Sequence, residues 1–287
     1  MNNYTIFADS ACDIAPDILD KWGVKYLNLT FKFDDEDTEY LNYDINVKEF
    51  YEKMRSGKTG RTSGVNIESF RTAFLEELNA GNDILYIAFS SGLSTTYNSG
   101  WAAATELKEQ YPDRKIVVID SLCASAGYGL ILKFAVEMKE DGKTVEEISD
   151  FIMARSLNVC HWFTVDDLTY LKRGGRISST AAIVGNVLNL KPVMHVNDEG
   201  KLVNAVKARG RKAALKTLAA KYGELAEDTK GRIFVCHSDC LDEVKELEKI
   251  FMSEYGVSFE LITDIGPVIG IHAGPGTIAV FFFGKYR

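Results

Sequence analysis

The chain has 287 residues, 46% hydrophobic and 26% charged, enough for one large α/β domain or two smaller ones. Its formal net charge of −8 excludes general nucleic-acid binding, which needs a strongly basic surface. No apolar run approaches the roughly 20 residues that span a bilayer, and MNNYTIFADS lacks the basic and apolar segments of a signal peptide. The five cysteines (Cys12, Cys123, Cys160, Cys236, Cys240) have neither disulfide-framework nor zinc spacing. The expected compartment is the cytoplasm, with no metal and no cofactor.

In chain order, β-rich runs alternate with helical patterns. YTIFAD and KYLNLTF read as strands, followed by the amphipathic stretches VKEFYEKMR and NIESFRTAFLEELNA, with apolar residues every three or four positions. DILYIAFS and KIVVID follow as strands, then a long helix near SLCASAGYGLILKFAVEMKE and a second at VEEISDFIMARS. The pattern restarts at HWFTV and continues through KPVMHV, GRIFVCHS, SFELITDI and TIAVFFFG, with helices at ALKTLAAKYGEL and LDEVKELEKIFMSEYG. Strands separated by helices of this length pair in parallel through right-handed crossovers. The expected fold is therefore α/β, with two domains packed together: residues 1–160 with a parallel sheet, and a smaller mixed domain over 161–287. No Pro/Ser/Gly-rich linker divides them.

Four segments arrive where ligands bind in open parallel sheets, beyond the carboxyl ends of the strands. They are ADSACD (8–13), GRTSGV (60–65), FSSGLSTTYNS (89–99) and IDSLCAS (119–125), all rich in small hydroxyl residues. Ser and Thr at helix starts, with the free backbone N–H groups there, make a cradle for a carboxylate or phosphate. The same residues are also the preferred helix caps, so each segment taken alone admits either reading. The acidic FDDEDTEY (33–40) reads as a solvated loop.

A nucleophilic serine would need a G-x-S-x-G frame, which SSGLS lacks, together with a histidine and an orienting carboxylate. The rival enzyme reading makes Ser94 or Ser91 the nucleophile and His272 the base, oriented by Asp9 or Asp120, acting on an acyl or phosphorylated compound. Of the four histidines, His161, His195 and His237 fall in or at the end of strand-like runs. His272 differs, standing between Gly270 and Gly274-Pro275-Gly276 in what reads as a glycine-rich turn. It is either a hydrogen-bonded structural residue or a donor held toward an anion. VDDLTYLKRGGRISS (165–179) makes a basic tip on an acidic protein, either a solvated turn or a docking patch for a negatively charged partner.

These pieces together resemble the DegV family, which includes the fatty-acid-binding subunits of bacterial fatty acid kinase. The resemblance runs through Asp9-Ser10, RTSG around Thr62-Ser63, SSGLSTTYNS (90–99), VIDS (118–121), DDLTYLKRGGRIS (166–178), Lys191-Pro192 and GIHAGPGT (270–277). It implies a non-catalytic protein holding one long-chain fatty acid, with its carboxylate at the domain junction and its chain in an apolar tunnel. The implied carboxylate ligands are Thr62, Ser94 and His272, with Ser63, Ser91 and Gly92 beside them. Arg173 and Arg176 would support the head group or face a partner fatty acid kinase, and membrane contact would be transient at most. Two positions depart from the family pattern: Gly64-Val65 stands where Gln-Pro is usual, and Thr95 where Gly is usual.

Overall fold

The computed structural model describes residues 3–178 and 190–287. The first half runs β1 (Tyr4–Asp9), α1 (Pro16–Lys21), β2 (Val24–Leu27), β3 (Thr30–Phe33), β4 (Tyr40–Leu41), α2 (Val47–Arg55), β5 (Gly60–Ser63), α3 (Ile67–Asn79), β6 (Asp83–Ala88), α4 (Thr96–Gln110), β7 (Ile116–Asp120), α5 (Ser125–Glu140) and α6 (Val145–Arg155). The second runs β8 (Val159–Thr164), α7 (Thr169–Arg173), β9 (Leu190–Val196), β10 (Leu202–Arg209), α8 (Arg211–Leu225), β11 (Phe234–His237), α9 (Leu241–Tyr255), β12 (Leu261–Asp264), α10 (Pro267–Ala273) and β13 (Ile278–Phe283).

Three sheets result. β2-β1-β6-β7 is wholly parallel, as the strand–helix alternation predicts. Its central strand β6, DILYIA, is buried along its whole length, which explains its unbroken apolar sequence. β4-β3-β5 is a small antiparallel sheet. The six-stranded sheet β10-β9-β8-β13-β11-β12 is mixed, and only its β11–β12 pair is parallel.

Several elements differ from the sequence reading. KYLNLTF is two strands in different sheets, because the chain leaves β1 after Leu27 and pairs again with β5 from Thr30. β10 has no apolar run to announce it, being an edge strand with Asn204 to Lys207 exposed. SFELITDI forms a strand only over Leu261–Asp264. His272 sits in the last turn of the helix α10, not in an irregular turn. Ser179, the last residue of the basic segment, lies outside the described residues.

The six-stranded sheet separates two cores by simple alternation of side chains. Cys160, Trp162, Val235, Ile278, Val280 and Phe282 join the core with Leu218, Tyr222 and Phe251 of α8 and α9. Their neighbours Phe163, Cys236, Ala279 and Phe281 join the other core, built with the first half of the chain. The helix α5 is buried along most of its length and packs between the halves, touching β8, β11 and β13. Its Tyr128 hydroxyl bonds the Ile87 carbonyl and accepts the Asp9 N–H at 3.0 Å.

That packing needs Gly127. A Cβ there would lie 2.4 Å from His161 Nε2 and 2.6 Å from Phe281 Cδ1. Gly127→Ala is expected to lower stability by about 1–3 kcal/mol through overpacking, despite the better helix propensity of Ala. Its denaturation midpoint against the wild type checks this.

Candidate functional site

Between α5, the six-stranded sheet and α10 lies a cavity of about 410 Å³. Its wall is mostly apolar, with Leu29, Phe89, Phe163, Leu171, Val268 and Phe281 among the lining residues. The size falls within the usual range for small-molecule sites, roughly 300–1,000 Å³. Thr62, Ser91, Ser94, Thr95, Arg176 and His272 also line it. No lining residue among those described is Asp or Glu, and Arg176 brings the one permanent charge.

Each of these side chains is placed by a recognisable local device. Thr62 lies on β5, paired with Phe31 of β3. Ser94 precedes α4 and accepts the Thr96 N–H at 3.2 Å, while its hydroxyl lies 2.9 Å from Thr96 Oγ1. It thus orders the turn before the helix and lines the cavity at once, and the start of a 15-residue helix adds positive dipole potential there. Asp120 accepts the N–H groups of Ser91 at 3.2 Å and Leu122 at 3.0 Å, tying two of the hydroxyl-rich loops together.

His272 is held from two sides. Its Nε2 lies 2.9 Å from Thr62 Oγ1, and its buried Nδ1 has no hydrogen-bond partner among the described residues. The backbone of the Gly174 turn packs on the ring so tightly that a Cβ at Gly174 would reach Nδ1 at 2.1 Å. The Gly174 carbonyl also accepts from the Arg176 guanidinium. Burial, followed by the repulsion of Arg176, pushes the imidazole down to about 4. At neutral pH His272 is an uncharged donor or acceptor.

The sequence-expected residues divide accordingly. Thr62, Ser91, Ser94, His272 and Arg176 share the cavity, but Ser63, Gly92 and Arg173 do not line it. Ser63 is exposed. Gly92 instead meets the β9–β10 turn, where a Cβ would lie 2.6 Å from the Glu199 carbonyl oxygen. Arg173 is exposed and stands over the Tyr170 ring at 5.7 Å. ADSACD does not reach the cavity either. Asp9 is fully buried, accepting from Tyr86 at 2.7 Å, Phe89 N–H at 3.0 Å and Ala11 N–H at 3.1 Å, so it is structural.

Neither Asp9 nor Asp120 stands behind His272, so the carboxylate that a serine-nucleophile arrangement requires is missing from its expected position. The two departures from the family pattern turn out to face each other. A Cβ at Gly64 would approach Thr96 Oγ1 at 2.7 Å and Thr95 Oγ1 at 3.5 Å. A bare backbone at 64 leaves room for the Thr96 hydroxyl, whereas Thr95 would meet a Cβ there only at ordinary contact distance. Ser125, the last residue of IDSLCAS, also lines the cavity, and beside it stands Cys236, which no local feature of the sequence marks as a ligand contact.

Fold and site define a two-domain α/β protein enclosing an apolar cavity with a polar end that carries no carboxylate among the described residues. The chain belongs to the DegV family of uncharacterised proteins, whose sequence pattern matches residues 3–285. It is 43% identical over 291 residues to a DegV domain-containing protein of Clostridium perfringens, covering 100% of this chain and 99% of that one. A solved DegV family protein from Thermus thermophilus, described by its fatty acid binding, superposes with a TM-score of 0.88 at 30% identity, covering 98% of this chain and 99% of its own. A stearic-acid-binding protein from Eubacterium ventriosum gives a TM-score of 0.88 at 29% identity, covering 99% of both chains. Among the described residues no helix is long and apolar enough to cross a membrane, and no cluster of His, Cys, Asp and Glu could hold a metal.

The depressed His272 value makes a prediction with a definite sign. The unfolded chain protonates its histidine near the ordinary value of about 6.5, so it binds more protons than the native state below that pH. Native stability from this residue is therefore lost as pH falls from about 6.5 toward the folded value of about 4. An NMR titration should show the His272 ring neutral until the pH approaches about 4. A midpoint near that of free histidine would contradict the assignment.

Proposed function

We propose that this chain is a non-catalytic carrier of one long-chain fatty acid, held with its carboxylate at the domain junction and its chain in the apolar cavity. Arg176, Thr62, Ser91, Ser94 and His272 are the head-group contacts in this reading. The observation that carries it is the composition of the cavity: among the described residues, a mostly apolar wall with neutral donors and one guanidinium but no acidic residue. A carboxylate is the complement of the polar part and an alkyl chain the complement of the rest. The fatty-acid-binding descriptions of the solved relatives support the same ligand.

The energetics suit a carrier. Burial contributes about 0.8 kcal/mol per methylene, so a long chain supplies most of the affinity. Hydrogen bonds to a charged head group add about 1.5–3 kcal/mol each and fix its direction. Serving a fatty acid kinase, which would convert the bound carboxylate to an acyl phosphate, follows from the family resemblance. Arg173, exposed next to the head-group turn, is the residue proposed to face that partner, with cytoplasmic location to match.

Mass spectrometry of purified protein, native and then solvent-extracted, should release a near-equimolar long-chain fatty acid only on denaturation. A protein that is empty and takes up no added fatty acid would sink the reading. His272→Ala and Ser94→Ala should each weaken binding about tenfold, the equivalent of one charged hydrogen bond, with circular dichroism unchanged. With a fatty acid kinase and ATP, Arg173→Glu should slow acyl-phosphate formation while leaving fatty acid affinity intact.

A further inference from the structure

We propose that the cavity carries a second polar station midway along its length, formed by Ser125 and Cys236 over the Asp13 carboxyl, and that it accepts a hydroxyl group borne on the acyl chain. This rests on the fatty acid reading above and narrows its ligand to a class that includes hydroxylated fatty acids.

The sheet register places the station. Thr277, Ala279 and Phe281 line the cavity in succession, and residues two apart in a strand are about 7 Å apart. Thr277 is tied to the polar end, donating to the Ala273 carbonyl at 3.0 Å, next to His272. Cys236 pairs with Ala279, and Ala279 with Phe163, so this row is one step farther in. The following row holds Phe281 opposite His161. Ser125, at the start of α5, meets Cys236 at 3.1 Å from above the sheet.

Asp13, Ser125 and Cys236 are 3%, 5% and 0% exposed, which makes unpaired polar atoms there costly. Ser125 Oγ lies 2.5 Å from Asp13 Oδ2, and Asp13 Oδ1 accepts the Gly266 N–H at 2.9 Å. Ser125 takes a left-handed backbone with φ of 52°, a strained conformation for a serine, to make these contacts.

Counting hydrogens leaves at least one position on the Ser125–Cys236 pair unused in either protonation state. With Asp13 ionised, Ser125 donates to it and accepts the Cys236 S–H, leaving one serine lone pair. With Asp13 protonated, its proton goes to Ser125, Ser125 donates to Cys236, and the thiol hydrogen is left over. Burial pushes Asp13 up to about 8, which favours the second state at neutral pH. A hydroxyl both donates and accepts, so it satisfies either state. Because the spare group is a thiol, a weaker donor than a hydroxyl, an unsubstituted chain is penalised less there than it would be beside a buried hydroxyl. His161 offers nothing comparable, since Nδ1 donates to the Val159 carbonyl at 2.8 Å and Nε2 accepts the Ala124 N–H at 3.1 Å.

The test is competition binding of stearic acid against monohydroxystearic acids whose hydroxyl is stepped along the middle of the chain. One position should bind at least as tightly as stearic acid, with its neighbours weaker. Cys236→Ala should lower the affinity for that isomer about fivefold relative to stearic acid, the value of one neutral hydrogen bond, and Cys236→Ser should preserve it. Unchanged circular dichroism spectra and denaturation midpoints in both variants report an intact fold, and stearic acid measured on each variant is the reference for its ratio. If every isomer binds more weakly than stearic acid by one common factor, and the variants leave that factor alone, the station is overturned. Failure of stearic acid itself to bind would instead strike the fatty acid reading and this inference with it.

Discussion

The position of His272 depends on a seven-residue helix that its own domain does not hold alone. A helix that short is not stable by itself, because the cost of nucleation is spread over too few hydrogen bonds. The first half of the chain supplies what is missing. Asp13 accepts the Gly266 N–H at 2.9 Å, Asn42 accepts the Val268 N–H at 2.9 Å, and Tyr51 donates to the Ile265 carbonyl at 2.8 Å. These three contacts satisfy the entry to α10 from outside. The imidazole at its other end meets Thr62, which also belongs to the first half. The polar end of the cavity therefore exists only when the two halves are docked.

The cavity follows from the same docking. One face of the six-stranded sheet is closed by α8 and α9 with large side chains such as Tyr222 and Phe251. The other face presents the smaller Ala279 and Cys236 beside Phe163 and Phe281, and it is roofed by the start of α5. Small residues in that row leave space that the aromatic residues border but do not fill. Elsewhere the interior is close-packed: a Cβ added to Gly127 would collide with His161 and Phe281.

The electrostatics are correspondingly spare. A chain with a formal net charge of −8 keeps carboxylates out of the described cavity wall and admits a single guanidinium. Neutral hydroxyls and a neutral imidazole in that wall avoid the desolvation penalty that several buried cations would incur. Gly174 couples the two strongest elements, touching the His272 ring with its backbone and receiving Arg176 on its carbonyl. Arg176 and His272 are thus positioned by one turn.

The α/β class, most of the strands and helices, and the hydroxyl-rich loops beyond the strand ends were determined by the sequence alone. Hydrophobic periodicity and Ser/Thr placement at helix starts are local properties, legible residue by residue. Edge strand β10 and the split of KYLNLTF were not legible, because an exposed strand needs no apolar run and a change of sheet leaves no mark in composition. Likewise, nothing local distinguishes Ser94 from Ser63 or Arg176 from Arg173, yet only the first of each pair lines the cavity. Thr62 and His272 are 210 residues apart, and Ser125 and Cys236 are 111 apart. Such meetings are decided by the packing of one half against the other, so tertiary structure alone chose which hydroxyls line the cavity and which, like Ser63, face solvent.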